Sequence, residues 1–313
     1  MIEDALESQS YIKYCDDEYK CDNLDHVPDS GVIQVHNDEI SEFFERCGNN
    51  GKEYVIVSPR SDFGIAYQSE HPTWQDMHKA IKSIPYDYTV DFSDLGYRHF
   101  VVPPRCDVEK CNITDKFSVK CHSYTNSTFS DIPENVNKWF LVNMMCQHPK
   151  MECLPFGIPS WSYEILDKVE KKEKNKEKSL YVNFQTYTME RLWIKSYYRD
   201  SNLPFCTYVE EAKDNESYLN ELASHKFVLC PNGNGIDCFR TWEALSLGTI
   251  PIVERSVVSK SFSDLPILIL DSLYHITSDV LDREYDRIMG QHPDWSQIDK
   301  LKLSYWGNRF NEN

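Results

Sequence analysis

Apolar runs and helical stretches alternate along the second half of the chain. The apolar runs lie at Leu180–Phe184, Phe227–Cys230, Ile250–Val253 and Ile267–Leu270. Runs without polar alternation are typical of strands that are buried on both faces of a parallel sheet. Helical stretches are predicted between them, at about Met189–Tyr198, Ser217–Ser224 and Cys238–Leu247. The alternation predicts a doubly wound α/β domain after residue 178.

The first half of the chain has weaker strand signals and is richer in His, Pro and aromatic residues, which indicates longer loops. Its apolar runs lie at Tyr54–Val57, His99–Val102 and Trp139–Val142. We predict a second domain here, because the chain is long enough for two domains of ordinary size. Ligands commonly bind in the cleft between two such domains.

The predicted domain boundary is the charged segment Lys168–Lys178, in which Val169 is the one apolar residue. Such a segment favours a solvated helix end or a linker over a place in the core. The predicted divisions are an N-terminal domain, a linker, a C-terminal domain and a terminal helical segment, at residues 1–167, 168–178, 179–290 and 291–313.

Composition narrows the classes of function. The net charge of −17 disfavours nucleic acids and anionic membranes as partners, because binding to either depends on neutralising negative charge. The chain has no apolar run long enough to span a membrane, and its acidic first twenty residues do not resemble a signal peptide. We therefore expect a cytoplasmic protein with reduced thiols. The densest cysteine cluster, Cys106, Cys111 and Cys121, lacks the spacing of a zinc site, so no metal site is predicted.

The segment with the most chemical information is Lys226–Glu254, KFVLCPNGNGIDCFRTWEALSLGTIPIVE. A buried strand leads into a Pro-Asn-Gly-Asn-Gly loop, whose glycines allow the backbone to turn sharply and approach a ligand closely. Asp237 is predicted to cap the following helix, and Gly248 is predicted to end it. The carboxyl end of a parallel strand and the start of a helix together favour a phosphate ligand.

Arg240 and Glu243 are predicted on one face of this helix, three residues apart. An arginine for a diphosphate and a carboxylate for two ribose hydroxyls would suit a nucleotide sugar. Spacing alone leaves a second interpretation open, in which the two residues form an exposed ion pair of small energy. The loop lacks the third glycine of the dinucleotide fingerprint, which argues against a nicotinamide-dependent oxidoreductase.

The stretch CPNGNGIDCFRTWEALSLGTIPIV closely resembles the donor-binding signature of exostosin-like glycosyltransferases, which are similar to glycosyltransferase family 47 and have relatives in large DNA viruses and bacteria. The flanking stretches WFLVNMMCQHPKMECLPFGI at 139–158 and LYVNFQTYTMER at 180–191 resemble the same family. The resemblance spans roughly residues 139–254. The N-terminal 130 residues add little to it, so the resemblance addresses the donor and leaves the acceptor open.

The resemblance implies an α/β fold of the GT-B type, with two Rossmann-like domains and an active-site cleft between them. The N-terminal domain would bind the acceptor, the C-terminal domain would bind the nucleotide sugar, and the terminal helix would pack back on the N-terminal domain. Arg240 would contact the diphosphate and Glu243 the ribose. The residues expected near the phosphates are Asn232, Gly233, Asn234 and Gly235, with Asn183 and Arg191 as candidates for a second contact. A solvated helix position is the alternative for Arg191.

The expected reaction moves a sugar, with UDP as the expected nucleotide, to a hydroxyl of a glycan or glycoprotein acceptor. No Asp-x-Asp triplet is present, so we expect metal-independent transfer without a further cofactor. An inverting reaction requires a general base, and retention remains the alternative. Asp62 is favoured as the base, with Glu70 and His71 as the other candidates in the segment 57–74. A non-catalytic relative that binds nucleotide sugars or carbohydrate is the alternative function.

Overall fold

The computed structural model describes residues 4–8, 10–21, 23, 26–59, 64–67, 125–129, 131–145, 147–166, 168–169, 176–186 and 188–312. The strands are β1 (Asp17–Tyr19), β2 (Gly31–Val35), β3 (Tyr54–Ser58), β4 (Gly64–Tyr67), β5 (Thr125–Phe129), β6 (Val136–Leu141), β7 (Met151–Cys153), β8 (Lys178–Val182), β9 (Cys206–Tyr208), β10 (His225–Leu229), β11 (Ile250–Glu254) and β12 (Leu268–Leu270). The helices are α1 (Ile40–Cys47), α2 (Ser160–Leu166), α3 (Met189–Ser201), α4 (Asn215–Ala223), α5 (Phe239–Ser246), α6 (Val257–Ser261), α7 (Ser278–Gln291) and α8 (Leu303–Asn311).

Two parallel five-stranded sheets dominate the described part of the chain. The first has the strand order β1-β2-β3-β6-β7, and the second has the order β12-β11-β10-β8-β9. Strands β4 and β5 form a separate parallel pair. The predicted α/β class is therefore confirmed, and the two sheets are compatible with two Rossmann-like units.

The second sheet changes the direction of its strand order between β8 and β10. The chain passes from β8 outward to β9 and then returns to the other side of β8 to form β10, β11 and β12. In sheets of this kind, ligands bind outside the carboxyl ends of the strands at the point of reversal. The ends of β8 and β10 are therefore the expected ligand position in this half of the molecule.

Both faces of the second sheet are covered, which explains the unbroken apolar runs. Along β8, Leu180 and Val182 belong to one buried cluster, whereas Tyr181 belongs to another. The cluster around Tyr181 also contains residues of the first sheet, such as Trp139 and Phe140 of β6. Burying such side chains contributes on the order of 1.5–3 kcal/mol each.

The strands and helices predicted in the second half are confirmed as β8, β10, β11, β12, α3, α4 and α5. In the first half, the run at 54–57 lies within β3 and the run at 139–142 overlaps the end of β6, whereas His99–Val102 lies outside the described residues. The sequence pattern missed β2 because buried Gln34 interrupts its apolar run. It missed β1, β7 and β9 because each has three residues and includes a polar one, so no apolar run marks it.

The segment 168–178 differs from the expected solvated linker at both of its described ends. Val169 and Lys176 are buried, and Lys178 begins β8. The ammonium of Lys176 donates to Leu247 O at 3.1 Å and to Thr249 Oγ1 at 2.6 Å. These acceptors offset the cost of burying a charge, which the sequence pattern did not anticipate. Residues 170–175 lie outside the described part of the chain.

The terminal helix α8 contacts both halves of the molecule. The backbone N–H of Leu303 donates to Asp4 O at 2.9 Å. The ring of Phe310 lies 4.9 Å from that of Phe140 in the first sheet. On the other side, the ring of Trp306 lies 6.4 Å from that of Phe262, which follows α6. Helix α8 therefore packs against the first sheet while it touches the second half.

A pair of glycine substitutions tests the backbone assignments. Gly248 follows α5 with φ +68°, so Gly248→Ala is expected to destabilise the protein by about 1 kcal/mol through strain alone. Exposed Gly290 lies within α7 and has no atom near its added Cβ, so Gly290→Ala is expected to stabilise by about 0.5–1 kcal/mol. Urea unfolding measures the free energy of unfolding of both variants. Changes of the same sign in the two variants would contradict the assigned conformations.

Candidate anion-binding site

The candidate site lies where β8 and β10 end, at the reversal of strand order in the second sheet. The loop 230–238 joins β10 to α5, and it contains the two glycines of the Pro-Asn-Gly-Asn-Gly sequence. Arg191 lies in the first turn of α3, which follows β8, and Arg240 lies in the first turn of α5. The fold thus places one arginine on each side of this reversal, which we call the switch point of the sheet.

Arg191 is buried and holds the loop through its backbone carbonyls. Its Nε donates to Asn232 O at 2.8 Å, and its Nη2 donates to Pro231 O at 3.0 Å. A Cβ at Gly233 would lie 2.9 Å from the same Nη2, so only glycine fits there without movement of the guanidinium. The alternative of a solvated helix residue is therefore wrong for Arg191. Sequence spacing missed this because the partners lie 40 and 41 positions away.

Arg240 presents a second cation beside the first. Its guanidinium carbon lies 5.8 Å from the ring centroid of Phe184, and that of Arg191 lies 5.9 Å from the same ring. Burial lowers the pKa of Arg191, and the neighbouring charge of Arg240 lowers it further. The Nε of Arg240 is buried and has no hydrogen-bond partner among the described residues. Two adjacent guanidinium groups, one of them with an unused donor, would suit an anionic ligand.

Acidic side chains near Arg240 favour its charged form. Burial alone would lower the pKa of Arg240. The interactions with Tyr218, Cys238, Cys230 and Glu243 outweigh the effect of burial and raise the pKa. The ring of Tyr218 lies 5.9 Å from the guanidinium carbon. The site therefore retains its positive charge throughout the ordinary pH range.

Glu243 is buried beneath the site and belongs to a hydrogen-bond network. Its Oε1 accepts from Ser162 Oγ at 2.5 Å, and its Oε2 accepts from Tyr218 OH at 3.1 Å. Burial raises the pKa of Glu243, whereas these donors and Arg240 oppose the shift. The alternative of an exposed ion pair between Arg240 and Glu243 is wrong, because Glu243 is 5% exposed and makes these bonds instead. Each carboxylate oxygen retains a further lone pair as an acceptor.

Asp237 does not cap helix α5, and that prediction is wrong. The N-cap residue is Cys238, whose side chain makes no capping bond. The carboxylate of Asp237 instead accepts from the backbone N–H of Phe156 at 2.8 Å and from Trp242 Nε1 at 2.9 Å. Its own backbone N–H donates to Asn143 Oδ1 at 2.8 Å. Burial raises the pKa of Asp237 to about 7, although the N–H donors oppose it.

The bonds of Asp237 connect the loop to segments that follow strands of the first sheet. Asn143 follows β6, and Phe156 follows β7. The ring of Phe156 also stacks on that of Phe239 at 4.4 Å with an interplanar angle of 16°. The candidate anion site is therefore fixed against the first half of the molecule by hydrogen bonds and by aromatic packing.

The remaining residues predicted near the phosphates lie at the same sheet edge. Asn183 directly follows β8, is buried, and donates from Nδ2 to Glu211 O at 3.1 Å. Within the loop, the N–H of Gly233 donates to Gly235 O at 2.9 Å. Asn234 and Gly235 complete the turn before Asp237. The structure thus places the predicted donor-binding residues at one edge of the second sheet, with Glu243 in the adjoining helix α5.

The structure also shows site residues that the pattern did not indicate. Phe184 and Tyr218 pack on Arg240, and Cys238 lies at the start of α5. Two further carboxyl residues lie at this sheet edge, Glu254 at the end of β11 and Glu190 in the first turn of α3. Burial raises the pKa of Glu254. The order of strands and helices brings these residues to this sheet edge. Nothing in the sequence pattern marks any of them individually as a site residue.

The three candidates for the general base, Asp62, Glu70 and His71, lie outside the described residues, as does the cysteine cluster at 106–121. Within the described ranges, no group of three or more His, Cys, Asp or Glu side chains is positioned to hold a metal ion.

Comparison with known families gives one match, to a family model that spans the candidate site. The family model of the RXYLT1 C-terminal domain matches residues 167–268. This family is xylosyltransferase-like and related to exostosins. The match covers about a third of the chain and includes Arg191, the loop and Arg240. No curated protein matches the chain significantly.

The α/β fold and this match indicate a glycosyltransferase-type protein. No helix in the described part of the chain has the length and apolar character needed to cross a membrane.

Proposed function

We propose that the protein is a glycosyltransferase that moves a sugar from a nucleotide-sugar donor, with UDP as the nucleotide, to a hydroxyl of a glycan or glycoprotein acceptor. The donor diphosphate lies between Arg240 and the loop 232–235, with Arg191 behind the loop. The observation that carries this proposal is the pair of guanidinium groups beside Phe184, with the unpartnered Nε of Arg240, at the switch point of the sheet.

The proposed architecture is of the GT-B type, with residues 1–167 as the acceptor domain, 168–178 as the linker and 179–290 as the donor domain. Residues 291–313 return to the first domain. The bonds of Asp237 to Asn143 and Phe156 support this arrangement, because they place the donor loop directly beside the first half of the chain. In this proposal, Glu243 accepts hydrogen bonds from the ribose through its remaining lone pairs, and Asn183 lines the same edge.

Transfer builds negative charge on the departing diphosphate. Fixed cations aimed at that position stabilise the transition state more than the ground state. In this chain Arg240 and the N–H groups at the start of α5 perform that task, so the proposed reaction is metal-independent. The proposed inverting step uses a carboxylate or imidazole from the first domain to take the acceptor proton. Asp62 is the proposed base, and Glu70 and His71 are the alternatives.

The proposal predicts that binding depends on the diphosphate. UDP is expected to raise the thermal midpoint of the purified protein, UMP to raise it less, and uridine to leave it unchanged. At about 100 times its Kd, a ligand stabilises by about 2.7 kcal/mol. Differential scanning fluorimetry with these three compounds measures the order. Equal shifts with uridine and UDP would contradict a site built for phosphate.

The same assay extended to UDP-xylose, UDP-glucuronic acid, UDP-galactose and UDP-N-acetylglucosamine identifies the sugar. Each donor is tested with and without EDTA. Unchanged shifts and unchanged donor turnover in EDTA are expected, because the cations that face the diphosphate belong to the protein. Turnover that EDTA abolishes and magnesium or manganese restores would overturn the metal-independent mechanism while leaving the donor site in place.

A further inference from the structure

A cavity of about 310 Å³ lies at the carboxyl edge of the first sheet, apart from the loop 230–238. The ends of three neighbouring strands line it, with Tyr19 and Cys21 at β1, Gln34 and His36 at β2, and Pro59 after β3. Small-molecule sites usually have volumes of about 300–1,000 Å³, and open parallel sheets bind ligands outside the carboxyl ends of their strands. The cavity is therefore a candidate site for a second, small ligand.

Gln34 gives the cavity a buried polar group with an unused acceptor. The residue is 4% exposed, and its Nε2 donates to Glu18 Oε1 at 3.0 Å. Its Oε1 has no hydrogen-bond partner in the described part of the chain. Because a buried acceptor without a partner costs free energy, a ligand that brings a hydroxyl donor to Gln34 is favoured.

The charged groups of the cavity favour a neutral ligand. Glu18 Oε2 lies 3.1 Å from the ammonium of Lys20, and Glu39 Oε1 accepts from the backbone N–H of Cys21 at 3.2 Å. Two carboxylates beside one ammonium leave an excess of negative charge, which disfavours a phosphate or carboxylate ligand. The pairing of Glu18 with Lys20 weakens the attraction for a cation. Sugar hydroxyls suit this mixture of donors and acceptors, because each of them can both donate and accept.

The cavity lies on the same sheet edge as the contacts to the donor loop. In the first sheet, β3 stands between β2 and β6. Neighbouring strands lie about 4.8 Å apart, so the ends of β2 and β6 are roughly 10 Å apart. Just beyond the end of β6, Asn143 accepts from the backbone N–H of Asp237 in the donor loop at 2.8 Å. A chain that starts in the cavity can therefore reach the donor loop along the edge of the sheet.

We propose that this cavity binds one neutral sugar residue of the acceptor glycan, through hydrogen bonds to Gln34 and to the carboxylates of Glu18 and Glu39. Tyr19 and Pro59 also line the cavity, so apolar surface borders the polar groups, as in most small-molecule sites. The role as an acceptor site rests on the proposed function, whereas the binding of the sugar itself requires no nucleotide.

The first test follows the alkylation of Cys21, which lines the cavity and is half-buried. Half-buried Cys206, at the start of β9, is the control in the same protein. The probes are the methyl glycosides of xylose, glucose, galactose, mannose and N-acetylglucosamine at millimolar concentration, and the readout is iodoacetamide labelling by peptide mass spectrometry. A glycoside at about twice its Kd is expected to slow the labelling of Cys21 about threefold and to leave Cys206 unchanged. If none of these glycosides slows Cys21 relative to Cys206, the proposal is overturned.

Charged sugars test the assigned chemistry. The methyl glycosides of glucuronic acid and glucosamine keep the ring of glucose and add a negative or a positive charge. Both are expected to protect Cys21 less than methyl glucoside does, the acid because of Glu18 and Glu39 and the amine because Lys20 already pairs with Glu18. Stronger protection by either charged sugar would overturn the assignment of a neutral ligand.

Gln34→Met replaces the amide with an apolar side chain of similar length. Loss of one hydrogen bond corresponds to about a two- to tenfold loss of affinity, so about fivefold more glycoside is expected to be needed for the same protection of Cys21. Gln297→Met changes an exposed glutamine outside the cavity and is expected to keep the wild-type protection. Wild-type protection in Gln34→Met, with folding confirmed by circular dichroism, would overturn the proposal.

UDP binding separates this proposal from the proposed function. A protein that binds UDP but shows no protection of Cys21 would reject the sugar site alone. A protein in which a neutral glycoside protects Cys21 but UDP does not bind would reject the proposed donor site alone.

Discussion

Replacing Arg240 with glutamine is expected to weaken UDP binding by about 100-fold or more. A hydrogen bond to a charged group contributes about 1.5–3 kcal/mol, and an arginine that forks onto a diphosphate makes two of them. A loss of about 1.4 kcal/mol corresponds to a tenfold change in affinity. The unpartnered Nε of Arg240 is the donor that the free protein leaves available for such a ligand. Isothermal titration with UDP measures the change.

Two further variants separate charge from geometry and from nonspecific effects. Arg240→Lys keeps the positive charge but loses the planar fork, so an intermediate loss of about tenfold is expected. Arg199→Gln removes an exposed arginine whose Nε donates to Asp200 Oδ1 at 2.8 Å on the same helix, and UDP affinity should change by less than about twofold. Wild-type affinity in Arg240→Gln, with folding confirmed by circular dichroism, would contradict the assigned role.

Arg191 is a poorer test of the same site, although it is equally close to Phe184. Its guanidinium already donates to two loop carbonyls, so its removal leaves buried acceptors unsatisfied and releases the loop. A loss of binding in an Arg191 variant would therefore not distinguish contact with a ligand from support of the loop. Arg240 lacks such a bond at Nε, which makes its substitution the more direct experiment.

The second sheet was accessible from the sequence because its signals are local. Each strand is an unbroken apolar run, and each intervening helix has its own apolar face, so neighbouring residues alone predict the order of elements. The order also places Arg240 at the carboxyl edge of the sheet. The reversal between β8 and β10 was not predicted, because strand neighbours depend on contacts between distant segments.

The environments of Glu243 and Asp237 show what local signals cannot provide. The spacing of Arg240 and Glu243 fits an exposed ion pair as well as a ligand site. Which of the two interpretations holds depends on Ser162 of α2, which lies 81 positions away and donates a hydrogen bond to Glu243. Likewise, the usual preference for aspartate as a helix cap is outweighed by Phe156 and Trp242, which offer Asp237 better-placed donors. The prediction of a ligand site here therefore rested on resemblance to a family rather than on spacing.

His225, the first residue of β10, is expected to make the fold sensitive to acid. The side chain is fully buried, its ring stacks on that of Tyr181 at 4.8 Å, and its Nε2 has no hydrogen-bond partner in the described part of the chain. Nδ1 lies 2.7 Å from Glu221 O and donates to it. Burial lowers the pKa of His225 to about 4, helped by the nearby charges of Lys178 and Lys176 and opposed by Glu221.

The folded protein binds this proton more weakly than the unfolded chain, in which histidine has a pKa near 6.5. The contribution of His225 is therefore complete above about pH 6.5 and is lost as the pH falls toward 4, by about 3 kcal/mol at pH 4. Urea unfolding at pH 7 and at pH 4.5 measures the loss.

His225→Phe keeps the stacked ring without a titrating nitrogen, so its stability should fall much less between the two pH values than that of the wild type. His275→Asn replaces an exposed histidine and leaves His225 in place, so it should keep the wild-type difference in the free energy of unfolding between pH 7 and pH 4.5. An equal acid-induced loss in His225→Phe and in the wild type would show that another group causes it.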